Sequence, residues 1–78
     1  MKTITLELDD HTADLLIELA AQCTAIDKAR EGATTHGALS VEDLLAMLAN
    51  DCALMQTRPG SWEGSNMATV FASHGYEV

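Results

Sequence analysis

The chain opens 1-MKTITLELDDHTADLL-16, and its fold turns on how residues 3–8 are read. Thr3, Thr5 and Glu7 alternate with Ile4, Leu6 and Leu8, the two-residue period of a strand with one face on a core and the other in water. Asp9 and Asp10 end the alternation, and apolar residues then recur at helical spacing. No second segment of comparable strand quality follows. A lone strand leaves a row of amides and carbonyls without ladder partners. Two arrangements satisfy it: antiparallel pairing with the same strand of a second chain, or pairing with residues 67–72 of its own chain.

Beyond the opening, the pattern is helical. Asp10 is placed to accept from the first free amides of a helix, and Thr12 would serve two residues later. Leu15, Leu16, Leu19, Ala20, Cys23 and Ile26 then form an apolar stripe, with Asp14, Glu18, Gln22 and Asp27 elsewhere around the helix. Lys28 and Arg30 suit its negative end, and Gly32 offers the left-handed residue that terminates it. The following loop, 32-GATTHGAL-39, holds two glycines four residues apart. A phosphate-binding P-loop would need Lys and then Ser or Thr after the second glycine. Ala38 and Leu39 stand there, and no strand leads in, so the phosphate reading fails.

The clearest helical segment is 39-LSVEDLLAMLANDCALMQ-56. Ser40 and Asp43 match the S/T-x-x-D/E start signal, and Val41, Leu44, Leu45, Leu48, Cys52 and Met55 share one face. Arg58, Pro59 and Gly60 stop the helix, because proline has no amide to give the ladder and restricts its predecessor. In the remaining residues 61–78, Met67, Val70 and Phe71 line one side of a short helix from Ser65 to Gly75, or form a strand; periodicity does not separate the two. The organisation expected is a domain over residues 1–57 and a tail over residues 58–78.

Twelve acidic residues face four basic ones, Lys2, Lys28, Arg30 and Arg58, for a net charge of −8. DNA-binding proteins gain most of their affinity by setting Lys and Arg against phosphate, and this chain offers few. At 78 residues a chain buries a marginal core and commonly needs a disulfide, a metal or a second chain. Cys23 and Cys52 sit on apolar helix faces, where reduced cysteine is an ordinary core residue. His11, His36 and His74 fall in no close ligand pair with each other or with the cysteines, so neither metal nor cofactor is expected. No apolar run is long enough to span a bilayer and the N-terminus lacks a signal-peptide profile, which predicts a cytoplasmic protein. Association is then the remaining source of stability.

The order strand, helix, helix, with TITLELDD, LIELAAQ and LSVEDLLAMLA in sequence, resembles the ribbon-helix-helix family of the Arc/MetJ type over residues 2–56. The resemblance implies an α+β, mostly α fold. One N-terminal strand would precede two helices in an intertwined homodimer, followed by a C-terminal tail or short third helix. Ile4, Leu6 and Leu8 would form the apolar side of the dimer strand. Thr3, Thr5 and Glu7 would be the DNA-contacting side, with the amides near Ser40, Val41 and Glu42 on a backbone phosphate.

The acidic surface fits a different role better. Its carboxylates are in part the solvated faces of two helices. Their excess suits a small regulator that binds a protein, such as an antitoxin or a phage-type inhibitor of a nucleic-acid-handling complex that mimics nucleic-acid charge. A ribbon-helix-helix repressor is the alternative. Catalysis is not expected: the cysteines lie in core stripes, and so small a domain offers no deep cleft. In the tail, Trp62, Met67, Val70, Phe71 and Tyr76 have no place in a ribbon-helix-helix core and are the expected partner-binding residues; Trp62, among small polar residues, either folds back on the body or anchors the partner.

Overall fold

The computed structural model describes all 78 residues, and the chain is all-helical. Helix α1 spans Asp10–Ala29, α2 spans Val41–Thr57 and α3 spans Trp62–Ser73. The expected α+β fold with an N-terminal strand is therefore corrected: residues 1–9 contain no strand or bridge. Residues 67–72, the one partner available within the chain, lie inside α3. Alternation supplies a strand's two faces, but only a ladder fixes the strand, and within the chain no second strand stands beside it. Ile4, Leu6 and Leu8 are accordingly exposed at 83%, 62% and 43%.

The chain divides into two compact units, Met1–Glu42 and Asp43–Val78. In the first, the helix start lies one residue earlier than the sequence suggests. Asp9 caps α1 with an extended backbone (φ −63°, ψ 154°). Its Oδ1 accepts from the Thr12 amide at 2.9 Å and its Oδ2 from the Thr12 hydroxyl at 2.9 Å. The far end closes as a Schellman motif: the Gly32 amide donates to Asp27 O at 2.9 Å and the Glu31 amide to Lys28 O at 3.1 Å. Glu31, rather than the expected Gly32, takes the left-handed C′ position, with φ 54°. Gly32 follows it at φ 79°.

Threonines fold the loop after α1 back onto the helix. Thr24 Oγ1 accepts from the Leu39 amide at 2.9 Å, and its proton is shared between Ala20 O (3.0 Å) and Leu39 O (3.1 Å). Thr34 Oγ1 donates to Asp27 Oδ1 and accepts from the Gly37 amide. Thr12, Ala13, Leu16, Ala20, Cys23, Thr24 and Asp27 form the covered arc of α1, with Ala20 the only one fully buried. Leu15, Leu19 and Ile26, expected on that same stripe, are exposed.

In the second unit, α2 ends at Thr57 because Arg58 precedes Pro59. A tight corner then launches α3. The Arg58 carbonyl accepts from both the Ser61 amide (3.0 Å) and the Ser61 hydroxyl (2.7 Å). Ser61 Oγ in turn accepts from the Gly64 amide at 3.1 Å, which makes Ser61 the cap of α3. The helix thus begins three residues before the Ser65 start suggested by the sequence. Gly64 is buried, and a Cβ there would lie 2.8 Å from Arg58 O and 3.0 Å from Leu54 O. Only glycine lets the first turn of α3 approach the last carbonyls of α2 so closely. A second Schellman motif ends α3, with Tyr76 N donating to Phe71 O, Gly75 N to Ala72 O, and Gly75 at φ 91°.

These ends make two predictions about stability. Gly64→Ala forces Cβ against backbone rather than a movable side chain, so urea unfolding followed by circular dichroism should show a loss of roughly 1–3 kcal/mol. Glu31→Gly relieves a left-handed non-glycine and should gain about 1 kcal/mol in the same measurement.

The Asp9 cap adds a pH dependence. Hydrogen bonds from the Thr12 amide, then the Thr12 hydroxyl, hold its carboxyl below the ordinary value of 3.8. A depressed folded-state pKa stabilises the chain fully above the unfolded value and loses that contribution as pH falls through the folded one. The α1 helical signal should therefore weaken below about pH 4. Part of that slope should vanish in Asp9→Asn, which keeps a capping oxygen but does not titrate.

Candidate interaction surface

The five tail residues singled out by sequence do not act as one set. Trp62 is the first residue of α3 and is 69% exposed, with Val70 and Tyr76 also open to solvent. Met67 and Phe71 lie on the other side of α3, half-buried with Ala68 beside the buried Gly64. The two groups therefore have different chemistry: the first can meet a partner, while the second holds α3 in its unit.

Phe71 also lines a half-open hollow of about 690 Å³, together with Cys52, Ala53, Met55, Gln56 and Val78. Its size falls in the range of small-ligand pockets. Its walls are mostly apolar, and the polar groups among these residues' side chains are the Cys52 thiol and the Gln56 amide. The hollow suits an apolar group and brings no acid–base pair together. Cys23 and Cys52 are both free and half-buried.

Residues Thr3, Thr5 and Glu7 are exposed, as are Ile4, Leu6 and Leu8 beside them. With no ladder to hold them, the six side chains do not form the two fixed faces that a ribbon would give. Ser40, Val41 and Glu42 sit at the start of α2 as expected from sequence. All four basic side chains are exposed, and every carboxylate is exposed except the half-buried Asp27, Asp51 and Glu63. The surface is thus acidic with apolar islands. No three or more His, Cys, Asp or Glu side chains come together as a metal site would require; His36 Nδ1 instead meets the neighbouring Thr35 hydroxyl at 2.8 Å.

Sequence reasoning missed one apolar island. Leu15, Leu19 and Ile26 are 51%, 44% and 54% exposed on α1. The signal was present in the width of the stripe: the six residues assigned to it span about 140° of the helix at 100° per residue. The covered arc is centred on Ala20, so the far edge of the stripe is left in water.

Comparison with known proteins finds no matching family model, no similar curated protein and no similar solved structure. No helix of the chain is long and apolar enough to cross a membrane.

Trp62 is the only tryptophan, so its environment can be read directly. Its emission in the isolated protein should lie near that of a solvated indole and be strongly quenched by acrylamide. Binding of a partner over α3 should shift the emission to the blue and protect it; a buried, quench-resistant indole in the free chain would contradict this placement.

Proposed function

We propose that this chain is a small, acidic, non-enzymatic regulator that acts in the cytoplasm by binding a protein target. The observation that carries this reading is Trp62, held 69% exposed at the capped start of α3. Large aromatic side chains on rigid elements are the residues that most often anchor protein interfaces, and they bury much area for little lost rotamer entropy. Val70 and Tyr76 are also exposed on the same segment.

The charge supports a narrower version. A surface at −8 attracts a basic partner and repels polyanions, within a reach of about 8–10 Å at physiological salt. Proteins that handle nucleic acid carry basic surfaces, so an acidic chain offers carboxylates where such a target receives phosphates. An antitoxin or a phage-type inhibitor would work in this way. The repressor alternative depended on a paired ribbon to enter the major groove, and residues 1–9 hold no paired strand.

Point substitutions test the proposal better than removal of residues 61–78, because α3 shares one compact unit with most of α2. Tagged wild-type chain should retain a protein from its host extract, and Trp62→Ala with Tyr76→Ala should lose it without loss of helical signal. Retention should weaken as salt rises, if carboxylates supply part of the attraction. A gel shift with the DNA upstream of the chain's own coding sequence, combined with no retained protein, would overturn the proposal in favour of the repressor.

A further inference from the structure

We propose that α1 pairs antiparallel with the α1 of a second copy through Leu15, Leu19, Gln22 and Ile26. This contact is separate from the α3 surface and does not depend on the function proposed above.

The four residues recur at steps of four, three and four, the alternating a/d spacing of a helix–helix seam. They lie within about 60° of one another around α1. All four are exposed, although three of them are large and apolar. Ile17, the other large exposed apolar residue of the helix, lies on a different side and belongs to no such series.

The seam also reads the same in reverse. Its midpoint falls between Ala20 and Ala21, so an antiparallel copy sets Leu15 against Ile26 and Leu19 against Gln22, each pair occurring twice. That is the self-complementarity a two-fold interface requires. Gln22 is the polar member of the seam, placed next to the two-fold axis, where a single polar residue fixes register at some cost in affinity.

Charge selects the orientation. The first half of α1 and its cap carry Asp9, Asp10, Asp14 and Glu18 with no basic residue. The other end carries Lys28 and Arg30 beside Asp27 and Glu31. A parallel pair would stack the four carboxylates of one copy on those of the other. An antiparallel pair sets the acidic end beside an end whose two basic and two acidic residues cancel, which repels less than four carboxylates on four, and the helix dipoles oppose.

Analytical ultracentrifugation of the full chain should show a dimer at about 10 μM that Leu19→Glu converts to monomer. Burial of leucine in such a seam makes the loss of affinity roughly tenfold or more. Because Leu19 is already partly in water, the variant should keep its helical circular dichroism. Gln22→Leu should tighten the dimer, and this variant cannot be dismissed as unfolded. Under mild oxidation, Leu15→Cys combined with Ile26→Cys should give a covalent dimer, while Leu15→Cys alone should resemble the wild type, whose own Cys23 and Cys52 serve as the blank. A wild type that stays monomeric to about 100 μM, a Leu19→Glu chain that remains dimeric, or efficient cross-linking through Leu15→Cys alone would each overturn the proposal.

Discussion

The carbonyl of Arg58 accepts two hydrogen bonds from Ser61, through its amide and its hydroxyl, and the second unit depends on that junction. Pro59 ends α2, Ser61 starts α3, and the hydroxyl that bonds backward to Arg58 also accepts forward from Gly64. The corner is thus closed by one side chain serving both helices. Gly64 completes it by having no Cβ where Arg58 O and Leu54 O stand. Once this approach is fixed, Met67, Ala68 and Phe71 are carried onto the covered side of α3, and Trp62 is left in water on the other. The most exposed aromatic side chain of the molecule is therefore positioned by a backbone contact, not by its own packing.

Hydrogen bonds at helix ends matter here because apolar burial is thin. Ala20 and Leu44 are the only fully buried apolar side chains. A fully buried leucine is worth roughly 1.5–3 kcal/mol and an alanine less, against a backbone entropy cost of about 1–2 kcal/mol for each ordered residue. Partly covered side chains must make up much of the difference. The loop after α1 is held in the same manner, by Thr24 and Thr34 acting as clips between the helix and residues 34–39.

Local signals survived the passage from sequence to structure better than pairing did. The apolar face of α2, apart from Leu48, which is 41% exposed, and the stop at Pro59 were legible because each rests on residues within a few positions of one another. The tail helix was visible as one of two options; its true start was missed because Ser61 was not weighed as a cap. The cap of α1 was off by one residue, since Asp9 and Asp10 are the same chemical group and only backbone geometry chooses between them. The Glu31 terminus was hidden by Gly32, the residue type that favours left-handed backbone. Residues 3–8 misled for a different reason. Their alternation describes how a strand would distribute its side chains, but a strand exists through bonds to another strand, and that information is not local. Among the site residues, the polar setting of Trp62 left folding back on the body and exposure equally open, and the structure exposes it; the open edge of α1 depended on which part of a wide stripe found cover.

The two surfaces proposed for association answer to different physics. Bringing two copies together opposes −8 with −8; each pair of charges about 10 Å apart in water repels by about 0.4 kcal/mol, many such pairs add, and salt screens those separated by more than about 8–10 Å. Covering leucine and isoleucine side chains that begin half-exposed returns about 1 kcal/mol each, and a two-fold seam covers each of its residues twice. Apolar contact can therefore outweigh charge along α1, helped by an orientation that keeps the acidic ends apart. At α3 the balance is reversed. Trp62, Val70 and Tyr76 are exposed on a chain of net charge −8; under the proposed function, charge would bring a basic partner in and the aromatic side chains would hold it. Salt weakens the repulsion that opposes the first contact and the attraction that assists the second.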